Sequence, residues 1–352
     1  MPGDGVQELL VPSDLGVVVD LAPVEDRGRP VWLVLAEDGR ISRWDLGTGE
    51  HELVGITTVA PEPDHDPWPD KELRRHLHAS GNGAFAAVVN DYGHFGEVLD
   101  LRAGEVTMVL ENEHNDLETV PFSLAFGRSH GRDVVIHRTE WNRLDVSDPQ
   151  TGKLLTDRPS RVYDGSEVTP EHDLDYFHGA LYVSPDSRWV LDDGWVWHPI
   201  GFPAVWDLER WIGNNVWESE DGPTRVELCD REYYWDHPMV WIDSVRVAVE
   251  GVGISDLSMR PGARIFDVSQ RGLQEGWKVP SPAEVLTFEG PAGRFFSDGT
   301  SLFSSAEAGL SVWELTEGKL VDEVPGFVPT HHHRAAGQFL QLADGAVHTL
   351  RR

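Results

Sequence analysis

Between Phe177 and Trp211 the chain reads FHGALYVSPDSRWVLDDGWVWHPIGFPAVWDLERW, short apolar runs separated by turn residues. Ala180–Val183 ends at Ser184-Pro185-Asp186-Ser187, Trp189–Leu191 ends at Asp192-Asp193-Gly194, and a third run closes on Val205-Trp206-Asp207-Leu208. Runs this short, bounded by Pro, Asp and Gly, read as consecutive strands of an antiparallel meander rather than as helix. Weaker copies of the unit recur along most of the chain. A recurrent supersecondary unit constrains a fold more than any single motif, because each copy must bury its apolar faces against its neighbours.

The copies share an anchor: a large apolar residue, then Asp or Glu, then Leu or Val. It stands at Trp44-Asp45-Leu46, Leu99-Asp100-Leu101, Leu144-Asp145-Val146, Trp206-Asp207-Leu208, Phe266-Asp267-Val268 and Trp313-Glu314-Leu315. A Gly-bearing turn often follows, as in Gly47-Thr48-Gly49-Glu50, Thr151-Gly152-Lys153 and Glu317-Gly318-Lys319. The spacing is irregular, about 45 to 60 residues against roughly 40 to 45 for a bare WD-type blade, so the excess belongs to loops.

At these residues the chain resembles the WD-repeat β-propellers. Trp-Asp ends the third strand of a copy at Trp44-Asp45 and Trp206-Asp207, and Trp313-Glu314 is a variant of it. Ser184-Pro185-Asp186 stands where that family often has a Ser-Pro-Asp-Gly turn, and Phe296-Ser297-Asp298-Gly299 is an imperfect second copy. The motifs are degenerate, but the resemblance covers nearly the whole chain. It implies an all-β, seven-bladed β-propeller of four-stranded antiparallel blades. One architecture serves many functions, so the resemblance does not supply an activity.

The expected organisation is a single propeller domain over 1–352, with blades at about 15–56, 76–111, 119–156, 178–230, 235–288, 294–324 and 327–352. The last stretch supplies three strands, and Gln7–Val11, which belongs to no other blade, is its expected fourth. That pairing closes the ring and removes two exposed sheet edges. A six-bladed ring with a separate tail is the alternative.

Composition bounds the partners. Sixty acidic against 29 basic residues give a net charge of −31, which repels phosphate backbones and disfavours nucleic acid. No run approaches the roughly 18 apolar residues of a membrane span, and no secretory signal pattern opens the chain. Cys229 is the only cysteine, so no internal disulfide forms, in keeping with a reducing, cytoplasmic setting. Four lysines among 29 basic residues suggest a GC-rich, bacterial source. A protein partner of basic character is expected, with the chain a monomer outside its complex.

In a four-stranded blade, the connection to the next blade and the loop between strands two and three share a face. The long insertions 57–75, 157–176, 194–203 and 251–262 are of these two kinds. Functional residues concentrate on such loops. This face carries Trp68, Tyr163, Trp195, Trp197, His198, Phe202, Tyr234 and Trp235, interleaved with Asp64, Asp66 and Asp70. Aromatic anchors in an acidic field suit a protein partner. Trp217 is expected on the opposite face.

Histidines near the starts of inner strands admit another class of answer. His76, His178, His237 and His332 are the candidate set for a transition metal at the channel mouth, against the reading that each ring hydrogen-bonds within its own blade. No phosphate loop, dinucleotide fingerprint or nucleophile elbow is present, and no cofactor is implied. The sequence therefore favours a non-catalytic interaction scaffold. The alternatives are a metal-dependent or lyase/hydrolase-type enzyme using the channel, and an immunity-like inhibitor of a basic effector.

Overall fold

The computed structural model describes residues 5–62, 71, 73–112, 119–160, 171–273, 280–343 and 345–352. Seven antiparallel sheets form a ring, the expected β-propeller. Blade 1 comprises Val18–Asp26, Arg29–Ala36, Arg40–Trp44 and His51–Ile56. Blade 2 comprises Arg74–Ala79, Phe85–Asp91, Phe95–Asp100 and Glu105–Glu111. Blade 3 has Leu124–Ser129, Arg132–Glu140 and Arg143–Ser147, with a single Ser147–Leu154 bridge where a fourth strand would run. Blade 4 has Phe177–Val183, Trp189–Val196, Ala204–Asp207 and the short Val226–Glu227. Blade 5 has Met239–Trp241, Arg246–Val252, Arg260–Leu273 and Pro280–Glu289. Blade 6 has Arg294–Ser297, Ser301–Ala306, Gly309–Glu314 and Leu320–Pro325.

Blade 7 is built from both ends of the chain. His331–His333, Gln338–Ala343 and Ala346–Arg351 are joined by Gln7–Leu10, which pairs antiparallel with the last strand, Gln7 opposite Thr349 and Leu10 opposite Ala346. This is the closure the sequence predicted. Removing residues 1–11 should bare the edge of Ala346–Arg351 and strip the packing of Leu9 and Val11 against the cluster around Trp32 and Val347. We expect a melting temperature lower by about 5 °C and concentration-dependent association. Calorimetry and size-exclusion chromatography check both.

The core is distributed. One apolar cluster fills each of the seven gaps between neighbouring blades. Leu33, Leu35, Leu77 and Val88, for example, lock blade 1 to blade 2. Because each blade is covered on both faces, second strands carry unbroken buried apolar runs, as at Val31–Ala36, Val134–Ile136 and Val247–Val249.

The recurrent anchor has a local cause. Asp45 Oδ1 accepts the N–H groups of Gly47 and Thr48, Asp100 Oδ1 those of Arg102 and Ala103, and Glu314 those of Thr316 and Glu317. The acid thus closes the turn leaving the third strand. Four residues later the chain enters the left-handed region at Gly49, Gly104 and Gly318, with φ of 78°, 69° and 72°, a conformation that favours glycine. In blade 3 the residue in this role is Asp148, which accepts from Gln150 and Thr151 and is followed by Gly152 at φ 70°. The anchor expected at Leu144-Asp145-Val146 therefore lies three residues too early. Asp145 is fully buried and bound by the guanidinium groups of Arg143 and Arg158.

Blade 4 brings a second correction. Asp192-Asp193-Gly194 reads as a turn, yet it lies inside the strand Trp189–Val196, with both aspartates fully buried. His178 Nδ1 meets Asp192 at 2.6 Å, and Arg231 donates to Asp193 at 2.8 Å. Burying a carboxylate is costly unless it is paired, and both partners come from distant sequence. Between the third and fourth strands lies the helix Leu208–Gly213, capped by Asp207, whose carboxylate accepts the Arg210 N–H at 2.9 Å. No helix among the described residues is long and apolar enough to cross a membrane.

Candidate functional site

Blade 4 extends beyond a plain meander. After Val196 the chain turns and returns as Ile200–Gly201, pairing Trp195 with Gly201 and Val196 with Ile200. Arg231–Glu232 adds to this hairpin. The N–H of Tyr233 donates to Pro199 O at 2.8 Å, and that of Glu232 to Ile254 O at 2.9 Å. Three segments, from blade 4, from the connection to blade 5 and from the expanded loop of blade 5, are thereby hydrogen-bonded into one platform. Trp197, Tyr233, Ile254 and Leu257 stand on it with 67%, 57%, 77% and 94% of their surface exposed. Tyr233 adopts φ 53°, a conformation costly for a bulky side chain and kept only where its surroundings enforce it.

The platform rests on an aromatic stack. Trp195 lies between Phe177 and Trp235, ring centroids 4.5 and 4.6 Å away and planes within 23° and 12°. Trp235 Nε1 donates to Thr119 O at 3.2 Å. Trp197 continues the column, 5.9 Å from Trp195.

The aromatic residues expected to bind a partner thus divide. Trp197 and His198 are exposed. Trp195 and Trp235, 3% and 7% exposed, are core and do not offer a partner any surface. Phe202 is half-buried, and Tyr234 stacks on His237 at 3.5 Å while donating to Glu250 at 2.6 Å. Trp68, Tyr163, Asp64, Asp66 and Asp70 lie outside the described residues. Sequence reading missed Tyr233, Ile254 and Leu257. The signal for the last two was the length of the 251–262 loop, since a tight connection has no need of large apolar residues.

Trp217 also departs from expectation. It stacks on His172 at 4.5 Å, and His172 pairs with Asp221 at 2.9 Å. The segment entering blade 4 and the insertion within blade 4 therefore meet, rather than lying on opposite faces.

Beneath the loop-rich face the central channel opens into a cavity of about 500 Å³ with lining residues from all seven blades. His76 Nδ1 meets Asp91 at 2.9 Å, and its other nitrogen faces Asp20 at 3.9 Å. Burial opposes a charge on His76, but Asp91 and Asp20 outweigh it and raise its pKa above the ordinary value. His78, 4.1 Å away, is pushed down to about 3 by burial and by the charge on His76. His331 Nε2 bonds Asp20 at 2.8 Å. Across the channel, Asp236 takes Lys71 Nζ and the Tyr92 hydroxyl, each at 2.6 Å. Tyr92 and Asp236 adopt φ of 62° and 57°. A more open hollow of about 1080 Å³ lies among the turns of blades 1, 2 and 7, where Arg43 pairs with Glu52 and Arg334 donates to backbone carbonyls.

The four histidines proposed from sequence as a metal set are not brought together. His76 and His237 line the cavity, His178 is buried against Asp192, and His332 stacks on Phe339 at 4.2 Å between blades 6 and 7. Among the described residues, one set of His, Cys, Asp or Glu has ligand atoms all within 4.8 Å of one another: His76, His78 and Asp91.

No family model matches the chain, and no curated protein matches its sequence. Solved structures match over nearly its whole length. A chain of the mitotic checkpoint complex aligns with TM-score 0.55 and 10% identity over 99% of this chain and 91% of that one. The structure of U3-55K aligns with TM-score 0.57 and 11% identity over 99% and 98%. The β-propeller domain of Myceliophteria thermophila Cps50 (Swd1) aligns with TM-score 0.55 and 12% identity over 97% and 99%. These neighbours are WD40 β-propellers, and at such identities what they share with this chain is the fold.

Proposed function

We propose that this protein is a non-catalytic interaction scaffold that binds a protein partner through the blade 4–blade 5 platform. The observation that carries the reading is the exposure of Trp197, Tyr233, Ile254 and Leu257 on one hydrogen-bonded surface floored by buried tryptophans. Large apolar side chains exposed together mark interaction sites, and a rigid floor lowers the ordering cost of association. Exposed Glu232 and Asp256 stand on the same segments. With a net charge of −31, they favour a partner whose apolar contact is rimmed by Lys or Arg, and the field speeds encounter more than it adds affinity. That neighbouring folds occur in protein complexes agrees with this reading.

For a partner captured from the native cell and then purified, Trp197→Ala should weaken binding by about 2 kcal/mol or more, and adding Leu257→Ser should weaken it further. Neutralising Glu232 and Asp256 should slow association and flatten its salt dependence. Val109→Ser, on an outer strand and 76% exposed, should leave binding unchanged. If Val109→Ser weakens the complex and Trp197→Ala does not, the platform is the wrong surface.

A further inference from the structure

The donors and acceptors of the central channel do not match. Three carboxylates line it, and each is already bonded. Asp20 accepts from His331 at 2.8 Å and from the Leu77 N–H at 2.7 Å. Asp91 accepts from His76 at 2.9 Å and the Phe122 N–H at 3.3 Å, with Arg74 at 3.4 Å. Asp236 takes Lys71 and Tyr92. What remains are donors. Arg294, on the first strand of blade 6, lines the same cavity and has no hydrogen bond or ion pair among the described residues. The Tyr182 hydroxyl, from the first strand of blade 4, likewise has none. A guanidinium offers five N–H donors in a fixed fork and accepts nothing.

The surroundings sharpen the mismatch. Arg74 and Arg294 line one cavity with exposed side chains, and of the two only Arg74 makes an ion pair among the described residues, with Asp91. Because solvent in the channel reaches both side chains, a dissolved anion can reach them too. By formal charge the lining balances, Asp20, Asp91 and Asp236 against Lys71, Arg74 and Arg294, so in a chain carrying −31 overall the channel does not share the acidic excess.

We propose that the channel binds a compact oxyanion, a small-molecule carboxylate or phosphate, between the guanidinium groups of Arg294 and Arg74, with the Tyr182 hydroxyl as a third donor. Planar guanidinium forks match such oxygens in charge and geometry. The cavity of about 500 Å³ is of the size that holds a small metabolite. Phe296, partly buried in its wall, offers an apolar edge to such a ligand. The competing occupant is a divalent cation at His76, His78 and Asp91. Arg74 already stands 3.4 Å from the same carboxylate, and its charge opposes a cation there. The site is separate from the platform, so a failure of one reading leaves the other standing.

The test uses the full chain, with inorganic phosphate and citrate as probes at ionic strength matched with sodium chloride, followed by calorimetric titration and thermal melting. Wild-type protein should show one saturable site at millimolar or lower probe and a melting temperature that rises with probe concentration. Whichever of phosphate or citrate binds tighter identifies the headgroup. Arg294→Gln should weaken that binding more than about tenfold, and Tyr182→Phe by a smaller factor. Arg27→Gln, in the hollow on the other side of the ring, should change nothing. Should Arg294→Gln fail to fold, Tyr182→Phe still decides, because it removes only a donor. Three results overturn the proposal: no response of the wild type beyond sodium chloride, equal binding in the wild type and the variants, or a stoichiometric divalent metal that is lost in His78→Ala.

Discussion

Asp145→Ala should destabilise the protein by about 3–5 kcal/mol, measured by urea denaturation. Asp145 has no exposed surface and accepts four side-chain bonds, from Thr139 at 2.6 Å, Arg143 at 2.8 Å, Thr156 at 2.8 Å and Arg158 at 2.5 Å. Arg158 also holds the buried Glu220 of blade 4. Truncating the carboxylate leaves two guanidinium groups facing an apolar gap with half their compensation gone, and the loss reaches across the blade 3–blade 4 boundary. Asp45→Ala is the contrast. Its carboxylate accepts two backbone N–H groups at a solvent-facing turn, so water replaces it and the cost should be about 1 kcal/mol. Equal effects at the two positions would contradict the assignment of Asp145 to a buried ionic cluster.

Trp195→Ala should cost about 3–5 kcal/mol, while Trp197→Ala, two residues along the same strand end, should cost less than about 1 kcal/mol. The difference follows from burial. Trp195 fills the space between Phe177, Trp235 and Val120, and truncation leaves a cavity that a rigid blade cannot close. Trp197 has solvent over most of its surface. Trp195→Ala also removes the floor under Trp197, so partner binding should fall in both variants, with stability falling only in the first. Denaturation midpoints paired with binding measurements separate the two. A stable Trp195→Ala protein would show that the stack is not core.

Where the sequence was legible, a local rule sufficed. The turn acid and the glycine four residues after it act within a few residues of backbone, so Asp45, Asp100 and Glu314 announce their blades directly. Strand pairing of Gln7–Leu10 with the last blade was legible by elimination, since a lone strand and an incomplete blade each need a partner. Where the sequence misled, a distant residue decided. Asp192 and Asp193 look like a turn until His178 and Arg231 are seen to hold them inside a strand. Asp145 looks like another turn acid until Arg158 reaches it. Trp195 and Trp197 are alike in sequence, and only the arrival of Phe177 and Trp235 separates core from surface. The channel donors could not be sorted at all, because whether Arg294 is free depends on which carboxylates the other six blades have already bonded.

The shared seventh blade has a mechanical consequence. Gln7 lies opposite Thr349 and Leu10 opposite Ala346, so both chain ends leave this strand pair at the same end, on the side away from the platform. Tension between the two ends would open the pair one rung at a time, like a zipper, instead of shearing all its bonds together. A ring stitched this way yields first at its own seam. A tether at either end alone puts no such load on the seam, and it leaves the opposite face of the disc free to engage whatever approaches it.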